Sequence, residues 1–178
     1  MSKWKSHTTG LDYKNKLGRL GKNVVIEDGV RIFFPDNVEI DEDVYIGHDT
    51  ILKGYFDQKL VIGSGSWIGP QCFIYASGGI IIGRNVGIGP GVAIMSSAHN
   101  LEVRLGSILH TPIERKTVYL GDGCDIGAKS VILMGVHIGQ GAQIGAGAVV
   151  TEDIPDNAIA VGVPAKVLRL RKREKLNV

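Results

Sequence analysis

Aliphatic residues recur every six positions along most of this chain. Leu20, Ile26 and Ile32 begin the series, followed by Ile40, Ile46 and Leu52, then Ile62, Ile68 and Ile74, then Ile82, Ile88 and Ile94. It continues with Leu120, Ile126 and Ile132 and closes with Ile138, Ile144 and Val150. Within every group of three the step is six. Between groups the step is 8 (Ile32 to Ile40), 10 (Leu52 to Ile62), 8 (Ile74 to Ile82), 26 (Ile94 to Leu120) and 6 (Ile132 to Ile138), so each insertion follows a third member. A three-sided prism accounts for this: each group is one coil, each member one short strand, and extra residues leave from a single corner. A period of six drifts off the 3.6-residue face of a helix, and the alternation of two that a barrel strand needs is absent. The spacing therefore predicts an all-β solenoid, a triangular parallel β-helix of about six coils.

Four residues after each aliphatic stands a second inward position, mostly small or β-branched: Val44, Thr50, Ser66, Cys72, Val86, Val92, Cys124, Ser130 and Ala148 among them. The two cysteines read as core fillers of a narrow interior. Directly after the aliphatic, the first two sides of most coils carry glycine, as at Gly47, Gly69, Gly89, Gly127 and Gly145, which permits close approach between coils. The third side carries Phe33, Lys53, Tyr75, Met95, Leu133 and Thr151 instead, so one edge differs chemically from the other two. Each inward aliphatic contributes at most about 1.5–3 kcal/mol of transfer free energy. In such a stack each coil leans on its neighbours and the ends need caps. Residues 1–19 are expected to form an N-terminal cap, 20–155 the β-helix with a protruding loop at about 99–118, and 156–178 a C-terminal segment. Its tail, VLRLRKREKLNV, reads as a short C-terminal helix laying Val167, Leu168 and Leu170 on the end of the prism.

Composition narrows the classes. The 178 residues suffice for one continuous core without staples. A net charge of +2 offers no broad footprint for nucleic acid, and no apolar run approaches the roughly 18 residues of a membrane span. The opening MSKWKSHTTG has lysines but no apolar stretch behind them, unlike a secretory signal. With two dispersed cysteines and neither a disulfide framework nor a zinc-ligand cluster, a cytoplasmic location is expected.

The chemistry is sought in the longest excursion, 20 residues beyond the repeat step between Ile94 and Leu120, beginning MSSAHNLEVR. His99 lies at its root. A neutral imidazole there can take a proton from a hydroxyl, an effect of typically 10²–10⁴-fold on rate, and an inert corner histidine fits the spacing equally. His137 takes the equivalent corner of the next coil; His7, His48 and His110 read as solvent-facing or structural. Ala128 and Ala146, 18 residues apart and so one coil apart, stack beside Gly127, Gly145 and Gly147 to leave a smooth strip of backbone amides suited to a narrow, amide-bearing chain. Lys166, Arg169, Arg171, Lys172 and Arg173 are able to hold phosphates or simply to form a solvated basic tail. Tyr45 and Trp67, on one corner in successive coils, fit sugar stacking, subunit packing or surface coverage.

The repeats, the segment SSAHN before a long loop, and the run IGAGAVVTEDIPDNAIAVGVPAKVLR resemble the hexapeptide-repeat acyltransferases, in particular the galactoside and maltose O-acetyltransferase branch. The resemblance covers about residues 20–170. It implies a left-handed β-helix, an exception to right-handed crossovers, assembled as a homotrimer with active sites between subunits. It further implies acetyl-CoA as donor and a sugar or saccharide hydroxyl as acceptor, with no metal. By position, His99 would be the general base, Ala128 and Ala146 would meet the pantetheine arm, and Thr151, Lys166 and Arg169 would lie near the nucleotide and its phosphates. Gln71 aligns with a sugar-contacting asparagine. Two positions and one segment depart from the pattern: Asp125 stands where some relatives carry tryptophan, Glu152 where a lysine helps hold the donor, and residues 1–19 lack a recognisable acceptor segment. Glu102 and Glu114 are both candidates to orient the His99 ring.

Rival readings are N-acetylation of an amino sugar on the same scaffold, a metal-dependent carbonic anhydrase, and a non-catalytic scaffold. The anhydrase needs histidines converging on a metal, two of them close in sequence, which positions 48, 99, 110 and 137 do not supply.

Overall fold

A computed structural model describes residues 17–102 and 106–172. The chain winds into a left-handed parallel β-helix of six complete coils and two sides of a seventh. The first side stacks the strands Arg19–Leu20, Val38–Ile40, Leu60–Ile62, Ile80–Ile82, Val118–Leu120 and His137–Ile138. The second side stacks Val25–Ile26, Tyr45–Ile46, Trp67–Ile68, Gly87–Ile88, Asp125–Ile126, Gln143–Ile144 and Ala158–Gly162. Arg31–Phe33, Ile51–Lys53, Phe73–Tyr75, Ala93–Met95, Val131–Ile132 and Val149–Val150 make the third.

Register follows the repeat. Ile40 pairs with Ile62, Ile62 with Ile82, Ile82 with Leu120 and Leu120 with Ile138, so each aliphatic sits directly above the previous one. These columns form the core, and from Ile40 to Val150 every member of the series is buried. Leu20 and Ile32 of the first coil are half-buried, at the end of the prism where no earlier coil covers them among the described residues.

The polar members of the second inward set are satisfied locally. Thr50 Oγ1 donates to the Gly69 carbonyl (2.9 Å), Ser66 Oγ to Gly83 (3.0 Å) and Ser130 Oγ to Gly127 and Gly145 (2.6 and 3.0 Å). Cys72 Sγ approaches the Gly89 carbonyl in the same way, at 3.3 Å. A small hydroxyl or thiol thus closes onto a corner carbonyl of its own or the next coil.

One expectation is overturned. Ala165–Leu170, read from sequence as part of a C-terminal helix, is a strand that turns back at 163–164 and pairs antiparallel with Ala158–Gly162. The last turn of a solenoid exposes a row of unpaired backbone groups, and a returning strand covers that edge where a helix could not. Val167, Leu168 and Leu170 consequently remain exposed rather than lying on the prism's end, and of this strand only Ala165 is buried. Residues 173–178 of the expected helix, and 1–16 of the expected N-terminal cap with His7, lie outside the described residues.

Candidate active site

The third side of the fourth coil ends at Met95. Ser96 is buried; its Oγ donates to the Tyr75 carbonyl (3.0 Å) and accepts from the Gly78 N–H (2.8 Å), tying the departing chain to the coil beneath. The chain then leaves the prism as the strand Ser97–His99 and returns as Ile113–Arg115, antiparallel, with Ser97 opposite Arg115 and His99 opposite Ile113.

His99 is half-buried, and its Nδ1 lies 3.3 Å from the Thr111 carbonyl oxygen and 3.4 Å from Thr111 Oγ1. Pro112 holds Thr111 extended, at φ −73° and ψ 151°. The Thr111 hydroxyl donates to the Ile108 carbonyl at 2.8 Å, so the short 3₁₀ turn Ile108–His110 aims the Thr111 carbonyl at the ring. An Nδ1–H donating to that carbonyl leaves the lone pair on Nε2, the tautomer in which the ring can accept a proton. Neither candidate carboxylate takes this place. Glu114 accepts a hydrogen bond from Asn100 Nδ2, and Glu102 touches Asn100 through its backbone N–H (2.8 Å). A backbone carbonyl cannot be read as an orienting group from side-chain identity, which is why sequence reasoning missed Thr111.

Ala128 and Ala146 lie on a different edge, the corner between the second and third sides. The cross-coil bonds that stitch this edge run from Gln71 N–H to the His48 carbonyl (2.8 Å), Gly91 to Pro70 (2.9 Å), Lys129 to Pro90 (2.8 Å) and Gly147 to Ala128 (2.8 Å). The coils approach so closely here that a Cβ on Gly127 would stand 2.5 Å from the Ala146 nitrogen, and one on Gly89 2.6 Å from the Ala128 nitrogen. Among the described residues, neither the Ala128 nor the Ala146 N–H donates a backbone hydrogen bond. On this corner the Ala128 and Ala146 amides, one coil apart, alternate with amides that are bonded across the coils.

The remaining candidates are distributed around this frame. Gln71 is exposed on the Ala128 corner, two coils toward the N-terminus, in the left-handed region at φ 59°. Thr151 is exposed on the His99 corner, two coils toward the C-terminus. Lys166 reaches across from the terminal hairpin to Glu152, its Nζ 3.1 and 3.2 Å from the two carboxylate oxygens. Arg169 stands opposite Ile159 in the same hairpin and donates to the Leu170 carbonyl (3.2 Å). His137 faces outward on the first side against the Tyr119 ring (5.9 Å between centroids), whereas the chain carrying His99 has left the prism. His48 lies 3.9 Å from the buried Glu27 carboxylate. Tyr45 and Trp67 are a cross-strand pair with parallel rings 5.8 Å apart; burial, then the Glu27 charge, pushes the Tyr45 hydroxyl up. No three His, Cys, Asp or Glu side chains gather as a metal cluster among the described residues.

The imidazole and the amide ladder therefore occupy two edges of one prism, separated by a third side about six residues wide, up to roughly 20 Å.

The profile described as a hexapeptide repeat of succinyl-transferase matches residues 59–96 and 117–152. The galactoside O-acetyltransferase of Escherichia coli K12 is 30% identical over 167 residues, covering 91% of this chain and 68% of that protein. Three other curated relatives are matched over 42% to 66% of their own length. Among solved structures, AntD, an N-acyltransferase from Bacillus cereus in complex with dTDP and 3-hydroxybutyryl-CoA, superimposes with a TM-score of 0.80 at 28% identity, over 90% of this chain and 86% of that one. A galactoside acetyltransferase in complex with coenzyme A gives 0.66 at 27% identity, over 88% and 66%. The repeat, the fold and these likenesses agree: the chain belongs to the hexapeptide-repeat acyltransferases and resembles their galactoside O-acetyltransferase branch.

Proposed function

We propose that this chain transfers an acetyl group from acetyl-CoA to a hydroxyl of a sugar or saccharide, with His99 as the general base, in clefts between the subunits of a homotrimer. The observation that carries the reading is the His99 Nδ1 contact with the Thr111 carbonyl, which leaves Nε2 as the basic nitrogen. The donor assignment is supported by the coenzyme A and acyl-CoA bound in the galactoside acetyltransferase and AntD structures. It is supported too by the unengaged Ala128 and Ala146 amides, which suit the amide groups of a pantetheine arm. Thr151, Lys166 and Arg169 would lie toward the nucleotide end, and Gln71 on the acceptor side of the same corner as Ala128.

In this mechanism His99 Nε2 takes the acceptor hydroxyl proton as the oxygen attacks the thioester carbonyl carbon. The tetrahedral intermediate collapses with cleavage of the C–S bond. The coenzyme A sulfur recovers the proton from the imidazolium, leaving an acetate ester and the free thiol. No covalent enzyme intermediate is formed. Because base and amide ladder stand on different edges of one chain, the reading requires a second copy to bring its ladder to this chain's His99.

His99→Ala is expected to bind acetyl-CoA with unchanged affinity by calorimetry and to lose about 10²–10⁴-fold in turnover. Wild-type turnover in that variant would remove His99 from the chemistry. The likeness to AntD favours a second reading, attack by the amine of an amino sugar, possible on the same geometry. A panel of amino sugars against hydroxyl-only sugars, followed by thiol release from acetyl-CoA, separates the two.

A further inference from the structure

We infer that Arg115 is a positioning residue for His99, and that the turn at 54–58 between the second and third coils is the anchor it grips. The proposal rests on the reading of His99 as the base.

The step from Leu52 to Ile62 exceeds the repeat by four residues, and these make a closed turn, with the Tyr55 N–H donating to the Gln58 carbonyl (3.0 Å). The turn is fastened to the coil below: Asn37 Nδ2 donates to the Tyr55 carbonyl (2.6 Å) and the Gly54 N–H to the Phe33 carbonyl (3.1 Å). It presents two rings and a carboxylate to one guanidinium. Arg115 Cζ lies 4.7 Å from the Tyr55 ring centroid and 5.5 Å from that of Phe56, while Nη1 donates to both Asp57 oxygens at 3.3 and 3.1 Å.

Arg115 belongs to the return strand of the hairpin that carries His99. Its partner across the ladder is Ser97, whose hydroxyl accepts a hydrogen bond from Ser77 Oγ (2.6 Å), and two residues before Ser77 the Tyr75 ring meets the Tyr55 ring edge-on, 6.1 Å between centroids. The return strand is thus tied to the turn by a cation, and the outgoing strand to the coil beneath by a hydroxyl pair. A two-stranded ribbon with three paired positions is marginal without such support. The side chains of Arg115 and Asp57 are 32% and 45% exposed, so the ion pair adds little to overall stability. Its effect is directional. A planar guanidinium can stack on Tyr55 and meet Asp57 at once, which a lysine ammonium cannot.

The test compares Arg115→Ala, Asp57→Asn, Arg115→Lys and His99→Ala in steady-state transfer from acetyl-CoA, together with amide hydrogen exchange. Displacing a reacting group by about 1 Å can cost 10²-fold. Arg115→Ala is expected to lower kcat about 10- to 100-fold while the KM for acetyl-CoA stays within about twofold, since the donor edge is untouched. The Asn100 and Lys116 amides, which bond within and at the base of the hairpin, should exchange faster while those of Gly89 and Gly127 in the coils do not. Asp57→Asn should act in the same direction and add nothing to Arg115→Ala, and Arg115→Lys should not restore kcat. If Arg115→Ala turns over like wild type while His99→Ala is inactive, the anchor is wrong and the base stands. Equal acceleration of coil and hairpin amides with the loss of kcat would make Arg115 merely structural and overturn the proposal. Wild-type turnover in His99→Ala would instead remove the reading on which it depends.

Discussion

At the scale of single residues, the interior shows how a polar atom is accommodated in a shaft of aliphatic columns. Thr50, Ser66 and Ser130 reach corner carbonyls, and Cys72 and Cys124 fill the same inward positions with thiols. Burial first, and the Asp125 charge second, pushes the Cys124 thiol up to about 12; burial also raises Cys72. Both thiols should therefore resist iodoacetamide at pH 8 in the folded protein and react on unfolding, as mass spectrometry of the intact chain would read. A thiol whose folded pKa is raised keeps its proton when the unfolded chain has lost it, so stability should fall as pH rises from about 9 toward 12. Cys124→Ala should flatten that slope in denaturant titrations. On the surface, Glu152 pairs with the Lys166 ammonium at 3.1 Å, and under the proposed reading this pair competes with donor phosphates for Lys166. Glu152→Ala is expected to tighten acetyl-CoA binding about two- to fivefold by calorimetry, a modest effect because the pair is exposed.

At the scale of elements, the corner between the second and third sides illustrates why glycine follows the aliphatic. The nearest obstacle to a Cβ on Gly127 is the Ala146 backbone nitrogen at 2.5 Å, which cannot swing aside as a side chain can. Gly127→Ala should cost about 1–3 kcal/mol in thermal or urea unfolding. It should also raise the KM for acetyl-CoA, since the displaced coil carries the amide ladder. The hairpin bearing His99 is the opposite kind of element, held by side-chain tethers rather than by stacking. Ser96, Ser77 and Arg115 bind it to the coils beneath, and Pro112 with the Ile108–His110 turn sets the carbonyl that orients the ring.

At the scale of the whole molecule, the decisive feature is that imidazole and amide ladder stand on different edges of a prism. Mixing two variants expected to be inactive tests the second copy that the proposed mechanism calls for. His99→Ala retains its ladder, and Ala146→Arg retains its base while blocking its own ladder. Subunits unfolded and refolded together at equal concentration should recover about a quarter of wild-type activity if each cleft draws one half from each neighbour around a closed ring. No recovery from correctly assembled mixtures would place both halves within one chain.

The six-residue period by itself determined the prism, its six complete coils, the inward columns and the corner from which the long loop departs, because each depends on strand length and side-chain alternation that are local to the chain; the partial seventh turn, at Ile154 and Ala158–Gly162, lies beyond the repeat. Ala128 above Ala146, and His99 at the root of the loop, were legible for the same reason. The tertiary structure decided what depends on meetings between distant segments. Thr111, rather than Glu102 or Glu114, faces the His99 ring, since a loop's path chooses its contacts. Asp57 meets Arg115 across 58 residues, a pairing that no repeat encodes. The final strand forms where a helix was expected because the open edge of the last turn presents unpaired backbone groups, and an edge exists only once the coils have stacked.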